Sequence, residues 1–213
     1  MSLEPIKGLG ASTTLSELEQ TYDEWSGKYE EDMQRIGYPG PANAARLLRN
    51  LCPDPSTVKV LDMAAGTGMV GLELKRVGFN TIHASDMSVE IIKRAEDKGV
   101  YKRIFRCVMG EERLNAEDDF YFGITIVGCF SIPVKVAIFE ELNRVLQPGG
   151  YLVASFRPNT WGEDDIYGYK AALNQSTKWR LVSDDLLDFH GSLNRDENHE
   201  FYSKWNFVVY QKI

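Results

Sequence analysis

Asp62, Gly66, Thr67, Gly68 and Asp86 are the residues whose types and spacing point most directly to chemistry. Asp62 closes the apolar run Val58-Lys59-Val60-Leu61-Asp62, a small-residue turn follows, and a helical pattern begins at Met69. That is the layout of a nucleotide-type cofactor site at a strand-to-helix junction. Gly66 and Gly68 can take backbone angles that a Cβ forbids, and they admit a ligand close to the main chain at the N-terminus of the next helix. Gly66-Thr67-Gly68-Met69-Val70-Gly71 reads literally as G-x-G-x-x-G, with Asp86 at the distance of a ribose-binding acid after a second strand. A dinucleotide enzyme such as an NAD-dependent oxidoreductase is one reading, and a purely structural turn is another.

The sign of the charge favours a third. A carboxylate at the end of the first strand suits the cationic amino-acid end of a sulfonium methyl donor, S-adenosylmethionine, and repels a pyrophosphate. Asp86 ends the second strand, where its two oxygens can accept from both hydroxyls of a ribose. The duller role for Asp62 is to cap the amides of the turn.

Elements of the right kind surround these residues. Short apolar runs alternate with amphipathic stretches from Val58 to Phe156, the signature of βαβ units and a mainly parallel sheet. The pattern predicts strands near 58–62, 81–85, 103–108, 121–127 and 151–156, and helices near 69–77, 89–98 with Ser88 as N-cap, and 134–146. Pro148-Gly149-Gly150 turns the chain into the fifth strand. Leu15, Leu18, Tyr22, Trp25, Tyr29, Met33 and Ile36 form one apolar stripe along a helix, and Pro41 opens a second helix to about Leu51. Beyond Phe156 lies a polar and aromatic insert, then strand-like segments near 179–189 and 199–211. The turn Asn194-Arg195-Asp196-Glu197-Asn198 joins them so directly that the pair must be antiparallel.

Composition sets the bounds. The 213 residues, 43% of them hydrophobic, make a core for one domain over 1–213, with no repeat or linker. A net charge of −7 without any basic run argues against nucleic acid as a partner. Cys52, Cys107 and Cys129 are scattered, which predicts neither disulfides nor zinc and suits a reducing compartment. His83, His190 and His199 have no metal-ligand spacing. The N-terminal residues lack a secretory pattern, and Ile124–Phe130 is too short to span a bilayer, so the expected location is cytoplasmic with no membrane contact.

Asp62-x-Ala64-x-Gly66-x-Gly68, the Asp86 loop and Arg144-Val145-Leu146-Gln147-Pro148-Gly149-Gly150 together resemble the class I S-adenosylmethionine-dependent methyltransferases. The resemblance implies an α/β fold: a Rossmann-like, seven-stranded, mainly parallel sheet with helices on both faces and an antiparallel C-terminal strand. It implies a helical lid over 12–51, a cofactor-binding core over 57–156, and S-adenosylmethionine across the carboxyl ends of the first, second and fourth strands. Carried over to this chain, Asp62 meets the amino end of the methionine portion. Ala64, Gly66, Thr67 and Gly68 hold that portion, and Tyr22 of the lid bonds its carboxylate. Asp86 takes the ribose, Met87 one adenine face, Met109, Gly110 and Glu111 the adenine edge, and Gly128 lies beside the sulfonium. Trp25, Tyr29, Tyr38, Phe130, Arg157 and Trp161 are the implied contacts to the methyl acceptor, an unidentified small molecule or protein. Ala64 departs from the usual glycine, Gly123 from the aspartate that commonly opens the fourth strand, and Gly110 from an acid that often meets the adenine amino group.

Methyl transfer from a sulfonium is an in-line displacement of an activated group, so alignment and desolvation matter more than a base. No catalytic residue is assigned. Cys129 reads as a small buried residue, and Met87 or Met109 as gap-fillers if not cofactor contacts. Asp164-Asp165 and Asp184-Asp185 read as solvated charge. A cofactor-binding module of the same fold without turnover is a further alternative.

Overall fold

In the computed structural model, which describes residues 13–130, 134–188 and 204–213, the apolar runs become strands and the amphipathic stretches become helices. The strands are β1 (Lys59–Met63), β2 (Thr81–Asp86), β3 (Arg103–Arg106), β4 (Tyr121–Phe130), β5 (Leu146–Phe156), β6 (Trp179–Asp188) and β7 (Lys204–Lys212). The helices are α1 (Leu15–Trp25), α2 (Tyr29–Arg35), α3 (Gly40–Leu51), α4 (Met69–Arg76), α5 (Val89–Asp97), α6 (Ile138–Val145), α7 (Pro158–Trp161) and α8 (Tyr169–Gln175). The seven strands form one sheet in the order β3-β2-β1-β4-β5-β7-β6. β1 to β5 pair in parallel, and β7 is inserted antiparallel between β5 and β6.

Alternation along β1 sends Val60 to one face, with Ala44 and Leu48 of α3 and Val70 and Leu74 of α4, and sends Leu61 and Met63 to the other, with Ile138 and Leu142 of α6. Asp62, two residues from Val60, therefore falls on the α4 face. Strand order reverses between β1 and β4, which opens a crevice at their carboxyl ends. Gly123 has a packing reason: a Cβ there would stand 2.6 Å from Leu48 Cδ1, so its absence lets α3 lie close on β4.

Three expectations are corrected. The single N-terminal helix is two, because the chain turns at Ser26–Lys28 around Gly27, a poor helix former, and Trp25 Nε1 then donates to Asp32 Oδ2 at 2.8 Å. The sixth helix begins at Ile138 rather than 134. β5 begins at Leu146, and Pro148-Gly149-Gly150 lies within it as an irregularity, where pairing jumps from Tyr121↔Leu146 to Gly123↔Tyr151. The insert carries α7 and α8. The turn 194–198, Ser131, His190 and His199 lie outside the described residues.

Candidate cofactor site

β1 runs into a turn with three left-handed residues, Ala64 at φ 55°, Gly66 at φ 56° and Gly68 at φ 90°. Ala64 adopts the glycine-like conformation despite its Cβ, at a cost of about 1–2 kcal/mol. The turn is closed by Gly68 N–H donating to Ala65 O and tied to β2 by Ala65 N–H donating to Ser85 O, each at 3.0 Å. Asp86 clamps two loops at once. Its Oδ2 accepts from Gly66 N–H at 2.9 Å and its Oδ1 from Ser88 N–H at 3.1 Å. A carboxylate has about four lone-pair sites, so acceptor capacity remains for a ligand's hydroxyls. Burial raises the Asp86 pKa against the pull of those backbone donors, and Asp23 adds to the rise.

Two adjoining cavities, about 800 and 970 Å³ of open space, share Leu18, Ala64, Asp86, Met87 and Cys129 on their walls. The first runs along the turn past Gly66, Thr67, Met69, Val127 and Gly128 and is roofed by Tyr22, Tyr29 and Tyr38. The second extends over Val108, Met109 and Glu111. Two features mark the first as shaped for a ligand. An ideal Cβ on Gly66 would meet nothing within 4 Å, and Thr67 Oγ1 is buried without a hydrogen-bond partner. Replacing Asp86 by alanine removes both loop tethers and any charge-assisted bonds to a ribose. The expected result is cofactor binding weakened by about 1.5–3 kcal/mol, with a smaller loss of melting temperature. Calorimetry with S-adenosylhomocysteine reads the first effect, and unchanged affinity would remove Asp86 from the site.

The roof comes from the N-terminal helices. Thr14 caps α1 in a reciprocal box with Glu17, and Trp25 packs edge-on against Tyr29 with ring centroids 4.8 Å apart. α5 fastens the roof at both ends. At its N-cap, Ser88 Oγ donates to Asp23 and accepts from Ile91 N–H, and beyond its last turn Lys98 pairs with Glu30 at 2.6 Å. Burial lifts the phenol pKa values of Tyr22, Tyr29 and Tyr38 above their ordinary range. These hydroxyls are protonated donors at neutral pH.

Asp62 does not stand on the cavity wall as the sequence suggested. It is 1% exposed beneath the turn, where Oδ2 accepts from Tyr101 Oη at 2.6 Å and Oδ1 from Thr125 Oγ1 at 3.2 Å. Burial drives its pKa up to about 7, against those donors. In the unfolded chain it titrates near the ordinary aspartate value of 3.8, so the folded state holds more protons between these limits and this group's stabilising contribution is lost as pH rises through them. Ligand-free protein is therefore expected to gain more melting temperature from Asp62→Asn at pH 8 than at pH 5.5. Equal gains at both pH values would mean that this carboxyl titrates normally.

Other residues of interest fall into three groups. Met87 and Met109 line the cavities, as does Glu111, which also pairs with Lys135 at 2.5 Å. Gly128, at φ 80°, lines the first cavity and donates its N–H to Ser155 Oγ at 2.9 Å. Gly68 serves as N-cap of α4, and Gly110 lines neither cavity but packs on Val134 and Lys135, which line the second. Phe130 and Trp161 are in the core. Phe130 stacks on Phe156 at 4.6 Å, and Trp161 covers the same ring at 4.5 Å and donates Nε1–H to Asp184. Trp25 is buried under Tyr22 and Tyr29. Arg157 lies over Trp205 at 5.3 Å and near enough to Tyr22 to oppose the rise of its pKa. Neither Trp25 nor Arg157 lines the cavities.

Two of the acids read as solvated charge have structural duties. Asp165 caps α8 by accepting from Lys170 and Ala171 N–H, and Asp184 accepts from Trp161 and Asn206. Among the described residues no group of His, Cys, Asp and Glu is arranged to hold a metal, and His83 pairs with Tyr121 at 3.0 Å. No helix among them is long and apolar enough to cross a membrane. Sequence reasoning missed Tyr101, Val108 and Met69, which carry no local signal. It passed over Cys129 as a wall residue; the thiol is pushed up to about 12 by burial and is no nucleophile.

Residues 60–150, less than half of the chain, match the methyltransferase-domain family model. The strand order, with its crevice at β1 and β4, is a Rossmann-like fold similar to that of the S-adenosylmethionine-dependent methyltransferase from Mesorhizobium loti, which superposes with a TM-score of 0.56 at 12% identity over 78% of this chain and 96% of that one. Among particular proteins, the chain is similar to human methyltransferase-like protein 27, at 33% identity over 141 residues that cover 65% of this chain and 57% of that protein. The chain spans about half or less of the length of the curated relatives it matches first. A chain of the complex between the Haloferax volcanii Trm112 methyltransferase activator and a methyltransferase superposes with a TM-score of 0.68 at 14% identity, over 90% of this chain and 95% of that one. The [4+2]-cyclase SpnF superposes with a TM-score of 0.67 at 15% identity, over 97% and 99%.

Proposed function

We propose that the protein transfers the methyl group of S-adenosylmethionine to a small molecule or a protein side chain. The observation that carries this reading is the open space at Gly66 beside the unpartnered Thr67 Oγ1 and the Asp86 carboxylate, within a segment that matches the methyltransferase domain. When bound, the cofactor supplies a methyl group already activated on a cationic sulfur. Ala64, Gly66 and Thr67 would hold its methionine portion against the turn, Asp86 would bind the ribose, and Met87, Val108, Met109 and Glu111 would border the adenine. Gly128 and Cys129 would lie beside the sulfonium, with Tyr22, Tyr29 and Tyr38 closing the roof as a lid.

The walls are poor in bases. The phenols and the Cys129 thiol stay protonated, and Glu111 is held by Lys135. The acceptor must therefore arrive nucleophilic, and the protein's work is to align it and exclude water, which in well-oriented systems is worth about 7–11 kcal/mol. Incubation with labelled methyl donor and a panel of amine, thiol and phenol acceptors tests this. Label transfer supports turnover, whereas cofactor binding without transfer to any acceptor or cell extract favours a binding module.

A further inference from the structure

The sequence places Tyr101 in a loop without apparent duty, yet its ring occupies the space left by two glycines of the G-x-G-x-x-G segment. A Cβ on Gly71 would lie 2.2 Å from Tyr101 Oη, and one on Gly68 would lie 3.1 Å from its Cε2. The ring thus passes under the first turn of α4, and its hydroxyl reaches Asp62 Oδ2 at 2.6 Å. We propose that Tyr101 is a positioning residue of the cofactor site, which favours the ionised form of the Asp62 carboxylate and fixes it beneath the cofactor turn. The proposal rests on the reading of this cavity as an S-adenosylmethionine site.

The coupling between Tyr101 and the site is electrostatic. A carboxylate cut off from water keeps its charge only through donors, and Asp62 has side-chain donors in Tyr101 and Thr125. The titratable groups facing it are Asp86 from β2, Tyr101 from the α5–β3 connection and Tyr38 from the segment before α3. Asp86 disfavours the charge on Asp62, and the phenols add none while protonated. Tyr101 is thus a donor whose removal moves the Asp62 titration upward. An ionised Asp62 attracts the cationic end of the cofactor through the low-dielectric turn; a protonated one does not. The second and third glycines of the segment admit this ring, a role separate from the ligand-facing space at Gly66.

Tyr101→Phe keeps the ring and deletes the donor. Two measurements on the intact chain test the proposal. In ligand-free protein, a carbon-13 NMR titration of the aspartate carboxyls is expected to show the Asp62 midpoint raised by about one pH unit in the variant. In calorimetry with S-adenosylhomocysteine from pH 6 to pH 9, the ratio of variant to wild-type affinity cancels titrations of the ligand itself. That ratio is expected to fall to about a third to a tenth near pH 7.5 and to return towards one at pH 9. Tyr101→Phe placed on Asp62→Asn is expected to change affinity no further. An unmoved Asp62 midpoint, or a ratio lowered equally at every pH, would overturn the positioning role and leave Tyr101 as packing. Wild-type protein that fails to bind the ligand at any pH would instead overturn the cofactor reading, with the NMR midpoint still deciding whether Tyr101 governs Asp62.

Discussion

Gly66→Val is expected to weaken S-adenosylhomocysteine binding at least about 100-fold, close to 3 kcal/mol, while the domain stays folded. An ideal Cβ at Gly66 has nothing within 4 Å beyond its chain neighbours, so the new side chain projects into the cavity. The folding cost is then the left-handed backbone, φ 56°, worth about 1–2 kcal/mol and somewhat more for a β-branched residue. Gly168 offers a matched control. It sits at φ 74° as N-cap of α8, also with nothing within 4 Å of an ideal Cβ, and it does not line the cavities. Gly168→Val is expected to share the loss of melting temperature and to bind ligand as wild type does. If Gly66→Val bound the ligand normally, the space beside the turn would be solvent and the cofactor would lie elsewhere.

Trp161→Ala is expected to destabilise the fold by about 3–5 kcal/mol, a drop of roughly 10 °C in melting temperature for a domain of this size. Trp161 is 1% exposed, stacks on Phe156, meets Tyr210 edge-on at 6.1 Å and donates Nε1–H to Asp184 at 2.8 Å. Truncation opens a cavity between α7 and the face of the paired strands β5 and β7, and leaves an acceptor short of its donor. Trp161→Phe, which keeps a ring to stack, is expected to recover more than half of the loss. Thermal melts check both variants, and calorimetry below the melting range is expected to show ligand affinity unchanged. A variant of normal stability whose KM for an acceptor rises would return Trp161 to the substrate contacts suggested by its place in the insert.

The contrast between these two residues shows what was legible in the sequence. The turn was readable because its signal is local: an apolar strand, small residues that tolerate positive φ, and a helix directly after. The sheet was readable because period-two and helical patterns alternate from β1 to β5 with short connections; the C-terminal strands do pair antiparallel, but 189–203, with the short join expected at 194–198, lie outside the described residues. What failed depends on partners remote in sequence. The surroundings of Asp62 are set by Tyr101, which lies 39 residues away, so strand position alone could not say that the carboxylate would be covered. Phe130 and Trp161 stand near the carboxyl edge of the sheet, as substrate contacts would, yet both stack on Phe156 and complete the core. The long N-terminal stripe concealed the turn at Gly27, because α1 and α2 each continue the same apolar spacing while packing as separate helices.

Central to the proposed function is a cationic sulfur cofactor resting in the crevice between β1, β2 and β4. Calorimetric titration of the wild-type chain with S-adenosylhomocysteine and, separately, with NAD tests it most directly. Saturable one-to-one binding of the former, with no heat from the latter, is the expected result; binding of NAD with silence towards S-adenosylhomocysteine would contradict it.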